Sequence, residues 1–117
     1  MNGDKLLDAA EETASQLRST AHEYPFGPDW DVFKVGGKVF LLTTQVPGRA
    51  VATLKCDPIE AVDLCKEHDE ITPGYHMNKR HWISVWPGDS VDENLVRELV
   101  RNSYQLVVET LPESARP

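Results

Sequence analysis

The stretch Asp31-Val32-Phe33-Lys34-Val35-Gly36-Gly37-Lys38-Val39-Phe40-Leu41-Leu42-Thr43-Thr44 decides the fold class. It reads as two strands, Asp31–Val35 and Lys38–Thr44, joined by a two-residue turn. A Gly-Gly pair supplies the positive φ angles that such hairpin turns require. Pro47-Gly48 marks the next turn, and Ala50–Cys56 reads as a third strand. Three consecutive strands with short links pair antiparallel, because a parallel crossover needs a dozen residues or more.

Helical patterns flank this core. Upstream, Leu6, Ala10, Thr13, Leu17 and Ala21 recur at spacings of three and four, so a helix is expected over residues 4–22, ended by the two prolines and the glycine of 25–28. Downstream, Asp57 caps and Pro58 occupies the first turn of a helix reaching about His68. Ile71–Tyr75, broken by Pro73-Gly74, reads as an edge strand, and Lys79–Trp86 as the last strand. Ser90 or Asp92 opens a final helix with Leu95, Leu99, Val100, Val107 and Leu111 on its buried side. Asn102-Ser103 is a candidate kink and Pro112 the stop. The expected fold is α+β: a two-layer sandwich, α-β(3)-α-β(2)-α, with an antiparallel sheet of about five strands and helices on one face. The 117 residues make one domain, 1–117, with 113–117 as a loose tail.

Composition narrows the function classes. With 40% hydrophobic and 26% charged residues the chain is of globular type. No apolar run reaches the roughly 18–20 residues of a membrane span, and no apolar h-region follows the N-terminus, so a cytoplasmic protein is expected. Cys56 and Cys65 lack Cys-x-x-Cys spacing and read as reduced, buried thiols. The net charge is −7, against a generic nucleic-acid binder, but it is unevenly placed. Residues 31–56 carry one acid and four bases, and 71–88 carry two bases and no acid. These basic blocks are the strands, while the acidic blocks are the helices, so a sheet face left open by the helices is expected to be positive.

The stretch His76-Met77-Asn78-Lys79-Arg80-His81-Trp82 is the chemically most distinctive. As a metal site it is poor: the two histidines miss the i, i+4 helical spacing, and two cations lie between them. As an anion site it is better, since Asn78, Lys79, Arg80 and the imidazoles are donors of the kind that contact phosphate. Trp82 and Trp86 alternate onto one strand face with Ser84. With Lys34 and Lys55 they would suit stacking plus charge on a single strand, or anchor a protein partner. Val35-Gly36-Gly37-Lys38 lacks the spacing of a phosphate loop and no helix follows it. No nucleophile–base–orienter set is evident, so no catalytic residue, metal or cofactor is expected.

The segments Tyr24-Pro25-Phe26-Gly27-Pro28-Asp29-Trp30-Asp31 through Phe40, Leu54–Pro58, Ile71–Trp82 and Ser103-Tyr104 resemble the MmcQ/YjbR family over roughly residues 24–112. The resemblance implies the α-β(3)-α-β(2)-α fold and DNA binding, and brings no catalytic residues. The expected nucleic-acid contacts are Lys34, Lys38, Lys55, His76, Asn78, Lys79, Arg80, His81 and Trp82. The alternative, from the family's likeness to CyaY-like and secretion-chaperone-like folds, is a chaperone- or adaptor-like role that binds a protein partner or a second copy on the open sheet face, with the chain a monomer or weak homodimer.

Overall fold

The computed structural model describes every residue except Pro47, Tyr75 and His76. Three helices, α1 (Gly3–Gln16), α2 (Pro58–Glu67) and α3 (Glu93–Glu109), lie on one face of a six-stranded antiparallel sheet. The strands are β1 (Thr20–Glu23), β2 (Trp30–Val35), β3 (Lys38–Thr44), β4 (Val51–Lys55), β5 (Ile71–Pro73) and β6 (Trp82–Val85), in the order β1-β2-β3-β4-β6-β5. The two-layer α+β fold is therefore as expected, with one strand more.

The extra strand comes from the expected helix 4–22, which ends at Gln16. Leu17 is extended, Ser19 takes a φ of 59°, and Thr20–Glu23 then pairs along β2. Ala21 fits a helical stripe equally well, but β2 would otherwise expose its whole ladder, and the tertiary pairing overrides the local period. The last strand is shorter than expected. Asn78 accepts through its side chain from the Arg80 amide at 2.9 Å and through its carbonyl from the Trp82 amide at 3.1 Å. Lys79, Arg80 and His81 are thereby held in a turn rather than in β6. The α2 and α3 caps are Asp57 and Asp92, whose carboxylates accept from the amides of Ile59, Glu60 and Leu95. Glu113–Ala115, expected to be loose, form a 3-10 turn, and the Arg116 guanidinium covers the carbonyls of Glu109 and Leu111 at the end of α3.

The core lies between sheet and helices. Leu6, Ala9, Ala10 and Ala14 of α1 and Val96, Leu99, Val100, Tyr104 and Val107 of α3 pack on Phe33, Leu41, Leu54, Ile83 and Val85. A bulge enlarges this layer. Phe33 pairs with Leu41 but Lys34 with Val39, so Phe40 is the extra residue on β3, and both Phe40 and Leu41 are fully buried on the helix side. Burying each such side chain is worth about 1.5–3 kcal/mol. Tyr104 meets the Phe40 ring edge-on at 5.3 Å. Ser103 lies within an unbroken α3. It is buried, donates to the Phe40 carbonyl at 2.6 Å and accepts from the Lys55 amide at 2.9 Å.

The Gly36-Gly37 turn is as expected, with φ values of 57° and 79°. The two glycines differ in surroundings. A Cβ on Gly36 would lie 2.6 Å from Cδ1 of the buried Leu111, whereas one on Gly37 would meet nothing within 4 Å. Gly37→Ala should therefore cost only the left-handed strain, about 1–2 kcal/mol. Gly36→Ala should cost more, because Leu111 must also move. Urea unfolding midpoints of the two variants test this, and equal losses would contradict it.

Candidate binding groove

Asp57 and Pro58 start α2 immediately after β4, and the helix buries only Ala61 and Leu64. Its Ile59 and Val62 side chains face outward, with Ile59 78% exposed. Across from them lies the Asn78 turn, held on β4 by the Cys56 amide, which donates to the His81 carbonyl at 2.8 Å. Between helix and turn runs a groove of about 720 Å³. Its apolar walls are Pro58, Ile59, Ala61, Val62, Pro73 and Ile83, and its charged groups are Lys66, Lys79, Arg80 and a single carboxylate, Asp63.

The expected contact residues divide into three places. Lys79 and Arg80 line the groove, and Asn78 and His81 build the turn that carries them. Lys55 and Trp82 pair across β4 and β6 on the face away from the helices, where Lys34 also lies. Lys38 points to the helix side and donates to the Thr110 hydroxyl at 3.1 Å. His76 lies outside the described residues.

The helix-free face is less open and less positive than its sequence suggests. Lys34 is ion-paired to Glu23 at 3.0 Å, a partner that β1 brings alongside. Val32, Leu42, Thr53 and Ser84 stand in one cross-strand row and are all buried, with Thr53 and Ser84 sharing a hydrogen bond of 2.8 Å. Trp86 is also buried: its indole donates to the Thr72 hydroxyl at 3.0 Å, and Arg49 lies over its ring at 4.2 Å. Among the described residues Lys66, Lys79 and Arg80 enter no ion pair.

Cys65 lines the groove, and burial raises its thiol pKa. Cys56 is pushed up to about 12, first by burial and then by the nearby carboxylates of Glu60 and Asp57. Neither sulfur is a ready thiolate at neutral pH. Among the described residues no three or more His, Cys, Asp or Glu side chains converge as metal ligands do. No helix among them is long and apolar enough to cross a membrane.

A polar cluster not anticipated from the sequence sits at the opposite corner. His22 meets Asp31 at 2.8 Å and stacks on Phe33 at 4.3 Å. A hydrogen bond to the same Asp31 raises the Tyr24 hydroxyl pKa. Glu11 of α1 accepts from the Thr43 hydroxyl at 2.8 Å. Its pKa is raised, chiefly by burial and further by Asp31 and Asp8, against the lowering effects of Thr43 and His22. The signal in the sequence is the spacing of Tyr24 and Asp31, but the helical period over 4–22 places His22 on a helix rather than on β1. Because Glu11 is harder to ionise in the folded protein, its favourable contribution is present at acid pH and lost as pH rises through the raised value. Glu11→Gln keeps an acceptor for Thr43 without the charge. It should melt above wild type at pH 7, with the gap narrowing by pH 5. Thermal melts at both pH values test this, and an equal loss at both would contradict it.

The YjbR family model matches residues 15–106. The uncharacterised protein YbdF of Escherichia coli O157:H7 is 42% identical over 111 residues, covering 95% of this chain and 91% of that protein. The uncharacterised protein YjbR of Escherichia coli K12 is 34% identical over 90 residues, 75% of this chain and 76% of that one. The crystal structure of Deinococcus radiodurans protein DR2400 superposes with a TM-score of 0.84 at 31% identity, over 93% of this chain and 83% of that one. A model match across most of the domain, with relatives this similar over most of their length, makes this chain a member of the YjbR family.

Proposed function

We propose that this protein is a cytoplasmic, non-enzymatic nucleic-acid-binding module, and that the groove between α2 and the Asn78 turn is where it takes hold. One observation carries the reading: Lys66, Lys79 and Arg80, without ion-pair partners among the described residues, stand around an apolar floor. Cations on a rim suit phosphate, and an apolar floor suits the face of an unstacked base, so a single strand fits better than a duplex. The remaining expected contacts contribute unequally. Lys55 and Trp82 flank the same end of the sheet and can extend the track. Lys34 and Lys38 are engaged by Glu23 and Thr110 and add little. The acidic helix surfaces favour approach by this corner and weaken binding elsewhere.

Three or four phosphate contacts place the affinity on the non-specific scale, about 10⁻⁴ to 10⁻⁶ M, with strong salt dependence. A salt titration of wild type and Lys79→Ala/Arg80→Ala against single- and double-stranded oligonucleotides tests it. The wild type should prefer the single strand. The variant should bind more weakly, with a salt slope flatter by about 0.7 for each phosphate it no longer neutralises. No wild-type binding at low salt would refute the function. Unchanged binding by the variant would refute the groove as its site.

A further inference from the structure

All the exposed large apolar side chains among the described residues fall at two corners of the molecule. Ile59 and Val62 stand in the groove. Tyr24, Phe26 and Val46 stand on the two loops that precede β2 and follow β3, and Pro28 and Val46 line one cleft there with Asp29 and Asp31. Scattered single exposures need no explanation, but gathered ones mark interaction surfaces.

The two corners are opposite in charge. The groove lining carries three cations and one carboxylate; the cleft lining carries no Lys or Arg and two carboxylates, Asp29 and the Asp31 that His22 engages. Arg49, the cation nearest the Val46 loop in sequence, is turned onto Trp86. The corners are also opposite in place. The cleft lies where β3 ends and β4 begins, on the side of the sheet toward β1. The groove lies where β4 ends and β6 begins, on the side toward β5. At diagonal corners of the sheet they do not meet within one molecule.

We propose that this chain associates head to tail with further copies of itself, the acidic apolar corner around Phe26 and Val46 seating in the basic groove of the next copy. Each surface supplies what the other lacks: apolar anchors to bury, and charges of opposite sign around them. Because the two surfaces differ and lie at diagonal corners, the contact is heterologous: copies add into an open chain with one free surface of each kind at its ends, or into a closed ring of three or more. The proposal does not depend on the nucleic-acid reading, though it uses the same groove. Oligonucleotide and neighbouring copy would then compete.

Sedimentation velocity at low salt across a range of concentrations tests it, with two variants that each spoil one surface: Phe26→Asp for the corner and Ile59→Asp for the groove. Both side chains are largely exposed, at 65% and 78%, so the fold should be spared, which thermal melts verify. The wild type should grow beyond a dimer as concentration rises. Each variant alone should associate at least tenfold more weakly. Mixed in equal amounts they should form a heterodimer and nothing larger, since one intact groove then meets one intact corner. A wild type that stays monomeric, or stops at a dimer, overturns the proposal, as do a variant that associates like wild type and a mixture that stays monomeric. Phe26→Asp should keep its oligonucleotide binding, so failure of the assembly and failure of the nucleic-acid reading remain distinguishable.

Discussion

The hydroxyl of Ser103 is the point on which the arrangement turns. The β3–β4 ladder runs from Thr44 and Val51 to Leu41 and Leu54 and then stops, because the bulge at Phe40 draws the strands apart. The next ladder bond would join the Lys55 amide to the Phe40 carbonyl. Ser103 reaches in from α3 and serves both groups, one as acceptor and the other as donor. A buried amide or carbonyl without a partner costs about 1–3 kcal/mol, and a methyl group in place of this hydroxyl would leave two of them. The same junction locks α3 in register over the sheet, and Tyr104, one residue on, packs against the bulged Phe40 and donates to the Arg18 carbonyl.

The path of the chain beyond β4 depends on that parting of strands. Released from β3 at Lys55, the chain continues alongside β6, and the bond from Cys56 to His81 ties it to the turn that presents Lys79 and Arg80. Asp57 and Pro58 then launch α2 at the edge of the helical layer, over β5 and β6. A ten-residue helix resting on two buried side chains leaves a gap beside it, and that gap is the groove. Its charge survives because α2, acidic elsewhere, contributes Lys66 to the lining and only Asp63 against it.

Much of the fold was legible in the residues because its signals are local. The Gly-Gly turn, the Asp57 cap and the apolar period of α3 each act over a few positions, and all three stand in the structure. The β1 strand was not legible, since Thr20–Glu23 is held by its pairing with β2 and by nothing in its own period. The same strand also shapes the site, because it is β1 that sets Glu23 beside Lys34 and cancels its charge. Lys79 and Arg80 were legible as a basic stretch free of acids. The wall they face was not. Ile59, Val62 and Lys66 do recur at helical spacing, but whether such a stripe faces core or solvent is decided by where α2 docks.

If the proposed function holds, the groove and not the sheet face is where this YjbR domain meets its ligand. The most direct measurement is an amide chemical-shift titration of the labelled protein with a short single-stranded oligonucleotide at low salt. Perturbations gathered on Ile59, Val62, Lys66, Lys79 and Arg80, fading as salt is added, are the predicted result. Perturbations centred on Lys34, Thr53 and Ser84 across the sheet, or none anywhere, would contradict it.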